Sequence, residues 1–149
     1  WNEVTYAVNN GNLERDGTPS IAGIVNLQAQ YGISATQNSN RIVQWVDATG
    51  AWAAPSVANR NRIKAVRVAV VGRSDQKAAT DVTTACSSIT GAAPTGLCAW
   101  DATSALPVNS SPAPDIDLSD DDADWLKYRY RVLETVLPLR NIIWSKDTL

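Results

Sequence analysis

Two long segments of this chain alternate apolar residues with polar or small ones, and this period of two is that of a β-strand. The first is RIKAVRVAVVG, residues 62–72, and the second is YRYRVLETVLPLRNIIW, residues 128–144. Both sides of the first segment are rich in valine and alanine, which predicts a central strand covered on both faces. Arg67 lies in its middle and would need a partner, because an unpaired buried charge is costly.

The second segment places its tyrosines and its arginines on opposite faces of a strand. Tyr128 and Tyr130 fall on one face, and Arg129 and Arg131 fall on the other. A surface that binds single-stranded nucleic acid combines stacking rings and basic side chains on one face, and the formal net charge here is only −2. The sequence therefore predicts a structural strand and no nucleic-acid partner. Pro138 cannot donate to a strand ladder, which favours a bulge or an edge position.

The rest of the pattern adds further antiparallel strands. NEVTYAVNNGNLERDG is typical of a hairpin around Asn10-Gly11, a strong two-residue turn signal. GIVNLQAQYGI, residues 23–33, predicts a half-buried strand whose apolar face is formed by Val25, Leu27, Ala29, Tyr31 and Ile33. RIVQWVDATG, residues 41–50, predicts another strand, and Pro55 suits the first turn of a short helix. We expect a mainly β fold, with a twisted antiparallel sheet and short helical turns.

Residues 74–114 lose this pattern and are rich in small and turn-forming residues. We interpret them as a long surface loop inserted in a single domain that spans residues 1–149. Cys86 and Cys98 lie inside this loop. A disulfide between them would suit an exported protein and would contribute roughly 3 kcal/mol. The alternative is a pair of reduced cytosolic thiols.

An acidic run follows the loop, with six aspartates among the ten residues from Asp115 to Asp124. A calcium loop is one interpretation, but the spacing differs from the EF-hand pattern and the run has no glycine for the sharp turn. The favoured interpretation makes Ser119 the N-cap of a short helix. The next aspartates would then lie in its first turn, where the helix dipole favours negative charge.

The sequence lacks the residues that several classes of enzyme and nucleotide-binding protein require. The chain of 149 residues has no histidine, which removes the Ser-His-Asp and Cys-His catalytic sets and the usual zinc catalytic sites. It has no Walker or dinucleotide-binding glycine pattern. The sequence predicts a protein that is not an enzyme, with no cofactor and no metal. A start at Trp1 and the absence of methionine lead us to expect part of a longer protein.

Five segments together resemble, in order, the C-terminal half of the PilW family of type IV pilus minor pilins. They are VTYAVNNGNLERDG, GIVNLQAQYGI, QWVDATGAW, RIKAVRVAVVGRS and, most specifically, YRYRVLETVLPLRNIIW. The hairpin and the second segment are also similar to the J-type minor pseudopilins of type II secretion. The resemblance covers nearly the whole chain and is loosest between Ser74 and Pro114.

The resemblance implies an α+β pilin-like head whose long N-terminal helix is absent from this chain. In the family, that helix follows a cleaved leader, anchors the protein in the inner membrane with its head in the periplasm, and later packs in the extracellular pilus. The implied role is to prime pilus assembly and to form a tip complex used in motility and adhesion. The implied partners are other minor pilins and a tip adhesin. Open strand edges leave homo-oligomerisation as a further option.

The residues expected to matter in such a head are structural. Besides the Cys86–Cys98 pair, they are Arg67, Ser119, Tyr128, Tyr130, Glu134, Pro138, Arg140 and Trp144. Arg67 and Glu134 are expected to be buried charges and are a candidate pair. The alternative function is a carbohydrate- or surface-binding module, in which Trp1, Trp52 and Trp100 would stack on sugars, and a minor pseudopilin is a second alternative.

Overall fold

The computed structural model describes residues 3–91, 93–100, 111–120 and 122–139. The described part is mainly β, as predicted, and its strands form two antiparallel sheets. The strands are β1 (Tyr6–Asn9), β2 (Asn12–Arg15), β3 (Thr18–Ala22), β4 (Ile24–Ser34), β5 (Ile42–Asp47), β6 (Ile63–Lys77) and β7 (Tyr128–Pro138). The short helices are α1 (Val57–Arg60) and the 3-10 turns Gly50–Trp52 and Trp125–Lys127.

The first sheet has the order β1-β2-β3 and contains the predicted hairpin. Asn10 and Gly11 form its turn, with φ of 48° and 72°. A two-residue hairpin turn needs positive φ at both positions, which asparagine and glycine tolerate best. Asp16 and Gly17 form a turn of the same kind between β2 and β3, with φ of 52° and 76°. The hairpin prediction is confirmed.

The second sheet has the order β5-β4-β6-β7, so the valine-rich segment is central in it as predicted. β6 pairs with β4 on one side and with β7 on the other. Pro138 ends β7, an edge strand of the described sheet, where a missing N–H costs no ladder bond. β6 continues to Lys77, five residues beyond the segment that alternates in the sequence.

One face of this sheet is covered by the described parts of residues 78–127, which we call the covering segment. From the sheet, Val25, Ala69 and Val71 enter the core. The covering segment contributes Leu97, Ala99, Ile116, Leu118 and Trp125 to the same cluster. We call this side of the sheet the covered face.

The prediction that residues 74–114 lie at the surface is wrong for the described parts that enter the core. Leu97, Ala99 and Ala113 are buried, and residues 74–77 belong to β6. Small residues gave no apolar periodicity in this stretch, yet small residues are what lets an irregular segment pack closely on a sheet. The single-domain boundary at residues 1–149 stays a prediction.

Candidate functional site

The opposite side of the second sheet is apolar and is not covered by other described residues, and we call it the open face. In the strand registers, Leu27, Ala29 and Tyr31 of β4 lie beside the alternate valines of β6, which lie beside Leu133, Thr135 and Leu137 of β7. All of these side chains are half-buried or exposed. Leu133 and Leu137 are 55% and 52% exposed. The prediction that β6 is covered on both faces is therefore wrong.

Burial along β6 shows how different the two faces are. Ala65, Arg67, Ala69 and Val71 are all buried, whereas the intervening valines are only half-buried. On β4 the polar residue Gln30 is 1% exposed. The sheet thus buries its more polar face and leaves its more aliphatic face accessible. Contiguous apolar surface of this kind usually marks a docking site for protein or membrane.

Arg67 is the centre of the covered face and is 1% exposed. Its Nε donates to Gln30 Oε1 at 2.7 Å, its Nη2 donates to the same oxygen, and Nη2 also donates to the Pro112 carbonyl at 3.1 Å. The guanidinium lies 5.0 Å from the ring centroid of Trp45 and 4.5 Å from that of Trp100. The two indoles and the amide satisfy the buried charge, so the predicted need for a partner is met.

Burial lowers the pKa of the Arg67 guanidinium to about 10, and the carboxylates of Asp47 and Glu134 oppose that shift. The guanidinium therefore stays charged at neutral pH. Gln30 completes the network, because its Nε2 donates to Asp47 Oδ1 at 2.8 Å and to the Pro112 carbonyl at 3.1 Å. The arrangement ties the covering segment to the middle of the sheet.

The burial and the partner predicted for Glu134 are both wrong. It is exposed rather than buried, and its Oε1 accepts the backbone N–H of Trp100 at 2.6 Å. The ion pairs within the described residues do not include one between Glu134 and Arg67. Glu134 fixes the backbone of Trp100, which adopts a φ of 48° that is unusual for a non-glycine residue. It therefore affects Arg67 in two ways, through its own charge, which opposes the lowering of the Arg67 pKa, and through the Trp100 ring that lies over the guanidinium.

Where it is described, the acidic run forms turns, and Ser119 does not cap a helix there. Ser119 lies in the turn, and its N–H donates to Asp117 Oδ1 at 2.9 Å. Asp122 pairs with Arg73 at 3.3 Å, an electrostatic role that the cap interpretation did not include. In the described part of the chain, no group of three or more histidine, cysteine, aspartate or glutamate side chains could hold a metal ion.

Asp124 connects this turn to two lysines. Its carboxylate lies 2.5 Å from Lys77 Nζ and 2.6 Å from Lys127 Nζ. Hydrogen bonds from Lys127 and Lys77 lower the pKa of Asp124 to about 2. The 3-10 turn at Trp125–Lys127 follows at once, so the ion pairs hold the buried Trp125 against the core.

Tyr128 and Tyr130 lie where the strand pattern placed them, on the covered face of β7. The Tyr130 hydroxyl donates to the Trp125 carbonyl at 2.8 Å, and burial raises the pKa of this phenol. Arg73 stacks over the ring of Tyr128 at 4.6 Å. The Tyr130 hydroxyl thus fixes the covering segment to the sheet, and the Tyr128 backbone carbonyl does so by accepting the Thr83 hydroxyl at 2.6 Å. Arg140 and Trp144 lie outside the described residues.

Cys86 and Cys98 form a disulfide across a sequence separation of 12. A bridge between Ala85 and Leu97 runs beside it, and Leu97 is buried in the core. The disulfide therefore closes a loop that is anchored in the core by Leu97, the residue next to Cys98. The interpretation as two reduced thiols is wrong.

The tryptophans considered for sugar stacking are engaged within the protein where they are described. Arg62 lies over the ring of Trp52 at 5.3 Å, and Arg67 lies over the ring of Trp100. Trp1 lies outside the described residues. Nothing in these contacts favours the carbohydrate-binding alternative.

Sequence reasoning missed Gln30 and the open face. Gln30 lies on the polar side of an alternating strand, and that side was expected to face solvent. A signal was present, because Arg67 requires an acceptor and a central strand has neighbours on both sides. Locating that acceptor requires the register of β4 against β6, in which Gln30 is opposite Arg67.

Comparison with protein-family models shows to which family this chain belongs. The family model described as Type IV Pilus-assembly protein W matches residues 3–141. The chain belongs to this family. No match was found among curated proteins or among solved structures.

Membership of the PilW family implies a role in type IV pilus assembly, contact with other pilus components, and a place in the cell envelope or outside the cell. PilW is a pilus-assembly family rather than an enzyme family. Among the described residues, no helix has the length and apolar character needed to cross a membrane.

Proposed function

We propose that this chain is the head of a minor pilin and that its open face packs against an apolar helix of a pilus subunit. The observation that carries the proposal is the aliphatic surface of β4, β6 and β7 in a member of a pilus-assembly family. An amphipathic or apolar helix is a suitable cover for such a sheet, since a sheet and a helix layer bury each other's apolar sides.

The size of the uncovered side chains makes this contact energetically significant. Leu133 and Leu137 are each about half exposed, and complete burial of a leucine side chain stabilises by about 1.5–3 kcal/mol. Covering these two side chains would thus contribute roughly 1.5–3 kcal/mol, before the half-buried valines of β6 are included. The head would gain stability when the helix is in place.

In this proposal the protein primes filament assembly with other minor pilins and takes a place in the tip complex, where it supports adhesion and twitching motility. The head would lie in the periplasm, anchored through an N-terminal helix, before assembly and outside the cell afterwards. The family match supports the pilus over the type II secretion pseudopilus. A tip adhesin is the further partner that this placement implies.

The test is a charge on the open face in the full-length protein. Leu133→Asp should prevent pilus assembly, because a carboxylate cannot be buried under an apolar helix. Val136→Asp is the matched control, since Val136 is 48% exposed on the same strand but faces the other way. Each gene would complement a strain that lacks the protein, with surface pili and twitching measured and the level of each variant determined.

We expect normal pili with Val136→Asp and few or none with Leu133→Asp at equal protein levels. Wild-type piliation with Leu133→Asp would refute the docking role of the open face. Loss of pili with both variants would also contradict the proposal, because a charge on the covered face would then be as harmful as a charge on the open face.

A further inference from the structure

β1 carries backbone hydrogen-bonding groups that point away from its only partner strand in the described sheet. Opposed residues of an antiparallel pair alternate between bonded and non-bonded. The Asp16 N–H donates to the Thr5 carbonyl at 2.8 Å, so this pair is bonded. Two residues further along, Ala7 is bonded to Glu14 in the same register. Tyr6 and Val8 therefore direct their N–H and C=O groups outward, away from β2.

The first half of β4 has a free edge of the same kind. The Trp45 N–H donates to Ser111 Oγ at 2.9 Å, which places the Gly32–Trp45 pair in the non-bonded phase. Tyr31 then directs its backbone groups to β5, and so does every second residue before it. β5 ends at Asp47, opposite Gln30. Leu27 thus has no ladder partner on that side among the described residues.

These two edges border one cleft. The two sheets meet where the Gly23 N–H donates to the Gly11 carbonyl and the Arg73 N–H donates to the Gly23 carbonyl, both at 2.8 Å. Beyond this joint a cavity of about 600 Å³ opens between Tyr6–Gly11 and Val25–Leu27. We call it the hairpin cleft.

The described lining of the cleft offers a ligand backbone hydrogen-bonding groups but no free charge. Asn26 also lines the cleft, but its Oδ1 is buried out of reach of a ligand and has no hydrogen-bond partner among the described residues. Among the described residues that line it, Arg73 alone carries a charged side chain, which pairs with Asp122 at 3.3 Å and stacks over Tyr128. A ligand for this cleft needs alternating donors and acceptors rather than a charge.

We propose that the hairpin cleft binds an extended, uncharged peptide segment of another polypeptide as an added β-strand. A strand edge presents N–H and C=O groups at the spacing of an extended backbone, and strand addition is an established mode of peptide recognition. Tyr6 and Val8 on β1 and Leu27 on β4 supply the outward-pointing groups. The proposal concerns the backbone edges of the cleft, which shares only Leu27 with the open face, and it does not depend on the proposed function.

The probe is a phage-displayed library of random nine-residue peptides, panned on the wild-type chain. Enriched peptides are resynthesised and their affinities are measured against three variants. Val8→Pro removes one outward N–H without removing a bond of the β1–β2 ladder, because Val8 lies in a non-bonded pair. Val8→Ala keeps that N–H and removes most of the side chain. Leu133→Asp tests for adsorption to the open face.

We expect the affinity to fall at least tenfold with Val8→Pro and to stay within threefold with Val8→Ala and Leu133→Asp. Amide hydrogen exchange on the wild-type chain gives a readout free of folding defects. Bound peptide should slow exchange at Val8 and Leu27, while Ala7, already bonded to β2, should change little.

Three results would overturn the proposal. The first is the absence of enriched peptides. The second is enriched peptides that lose affinity only with Leu133→Asp. The third is bound peptide with no added protection at Val8 and Leu27. None of these results bears on the piliation experiment, so the two proposals fail separately.

Discussion

Replacement of Gln30 by leucine should destabilise the head by leaving the Arg67 guanidinium without its main acceptor. Gln30 Oε1 accepts two N–H groups of this buried cation. A hydrogen bond to a charged group contributes about 1.5–3 kcal/mol, so losing two costs about 4 kcal/mol. Leucine regains part of this through apolar contact, and the Pro112 carbonyl still accepts Nη2. We expect a net loss of about 3 kcal/mol, at the lower end for a broken buried ionic contact.

Urea unfolding followed by tryptophan fluorescence is a suitable assay, because Trp45 and Trp100 flank the guanidinium. Gln28→Leu is the matched control. Gln28 lies on the same face of β4 and is half-buried, and it has no side-chain hydrogen bond among the described residues. This control should change the free energy of unfolding by less than about 1 kcal/mol.

The double variant Gln30→Leu with Arg67→Leu separates the lost bond from the change of shape. Once the charge is removed as well, most of the stability should return, since an apolar pair can replace a buried polar one at little net cost. The reasoning is refuted if Gln30→Leu unfolds at the same urea concentration as Gln28→Leu. It is also refuted if the double variant is no more stable than Gln30→Leu alone.

Three further predictions follow from local geometry. Gly32→Ala should cost about 1–3 kcal/mol in thermal or urea unfolding, because its Cβ would lie 2.8 Å from Trp45 Cζ3 and 3.0 Å from Ile42 Cδ1; an unchanged midpoint would contradict the close contact. Replacing both Cys86 and Cys98 by serine should lower the free energy of unfolding by roughly 3 kcal/mol, and reductant should lower the wild-type midpoint but not that of the variant. The folded pKa of Asp124, about 2, lies below its ordinary value, so its ion pairs should favour the folded state above pH ~4 and lose that effect as the pH falls towards 2. The stability difference between wild type and Asp124→Asn should shrink over that range, and a constant difference would contradict the assignment.

The sequence predicts those parts of the fold that depend on local chemistry. Asn10-Gly11 specifies a turn by the φ values it tolerates, and the valines of β6 specify a strand by their period. Neither pattern states which side of a strand will be covered. On β4 the side with Leu27 and Tyr31 was the natural candidate for the core, yet Gln30 is the residue that becomes buried. Its burial depends on Arg67, which is 37 residues away.

The covering segment was unpredictable for a related reason. Its core residues, such as Leu97 and Ala99, are isolated among glycine, proline, serine and threonine, so no window of sequence has a helix or strand period. The disulfide and the Arg67 network hold this segment in place, and these are contacts between distant residues. Only the acidic run offered a local signal, and there the aspartates pair with Arg73, Lys77 and Lys127 rather than with the start of a helix.

The division of the second sheet into two faces has a consequence for how such a protein can change over evolutionary time. The covered face holds the fold together through Arg67, Gln30 and the core cluster, so most substitutions there are exposed to selection for folding. Side chains such as Leu133 and Leu137 can be exchanged for other apolar residues with little effect on the isolated head. Selection would act on them through the partner they contact. One scaffold could in this way diversify its assembly specificity while its stability is maintained from the opposite side of the same strands.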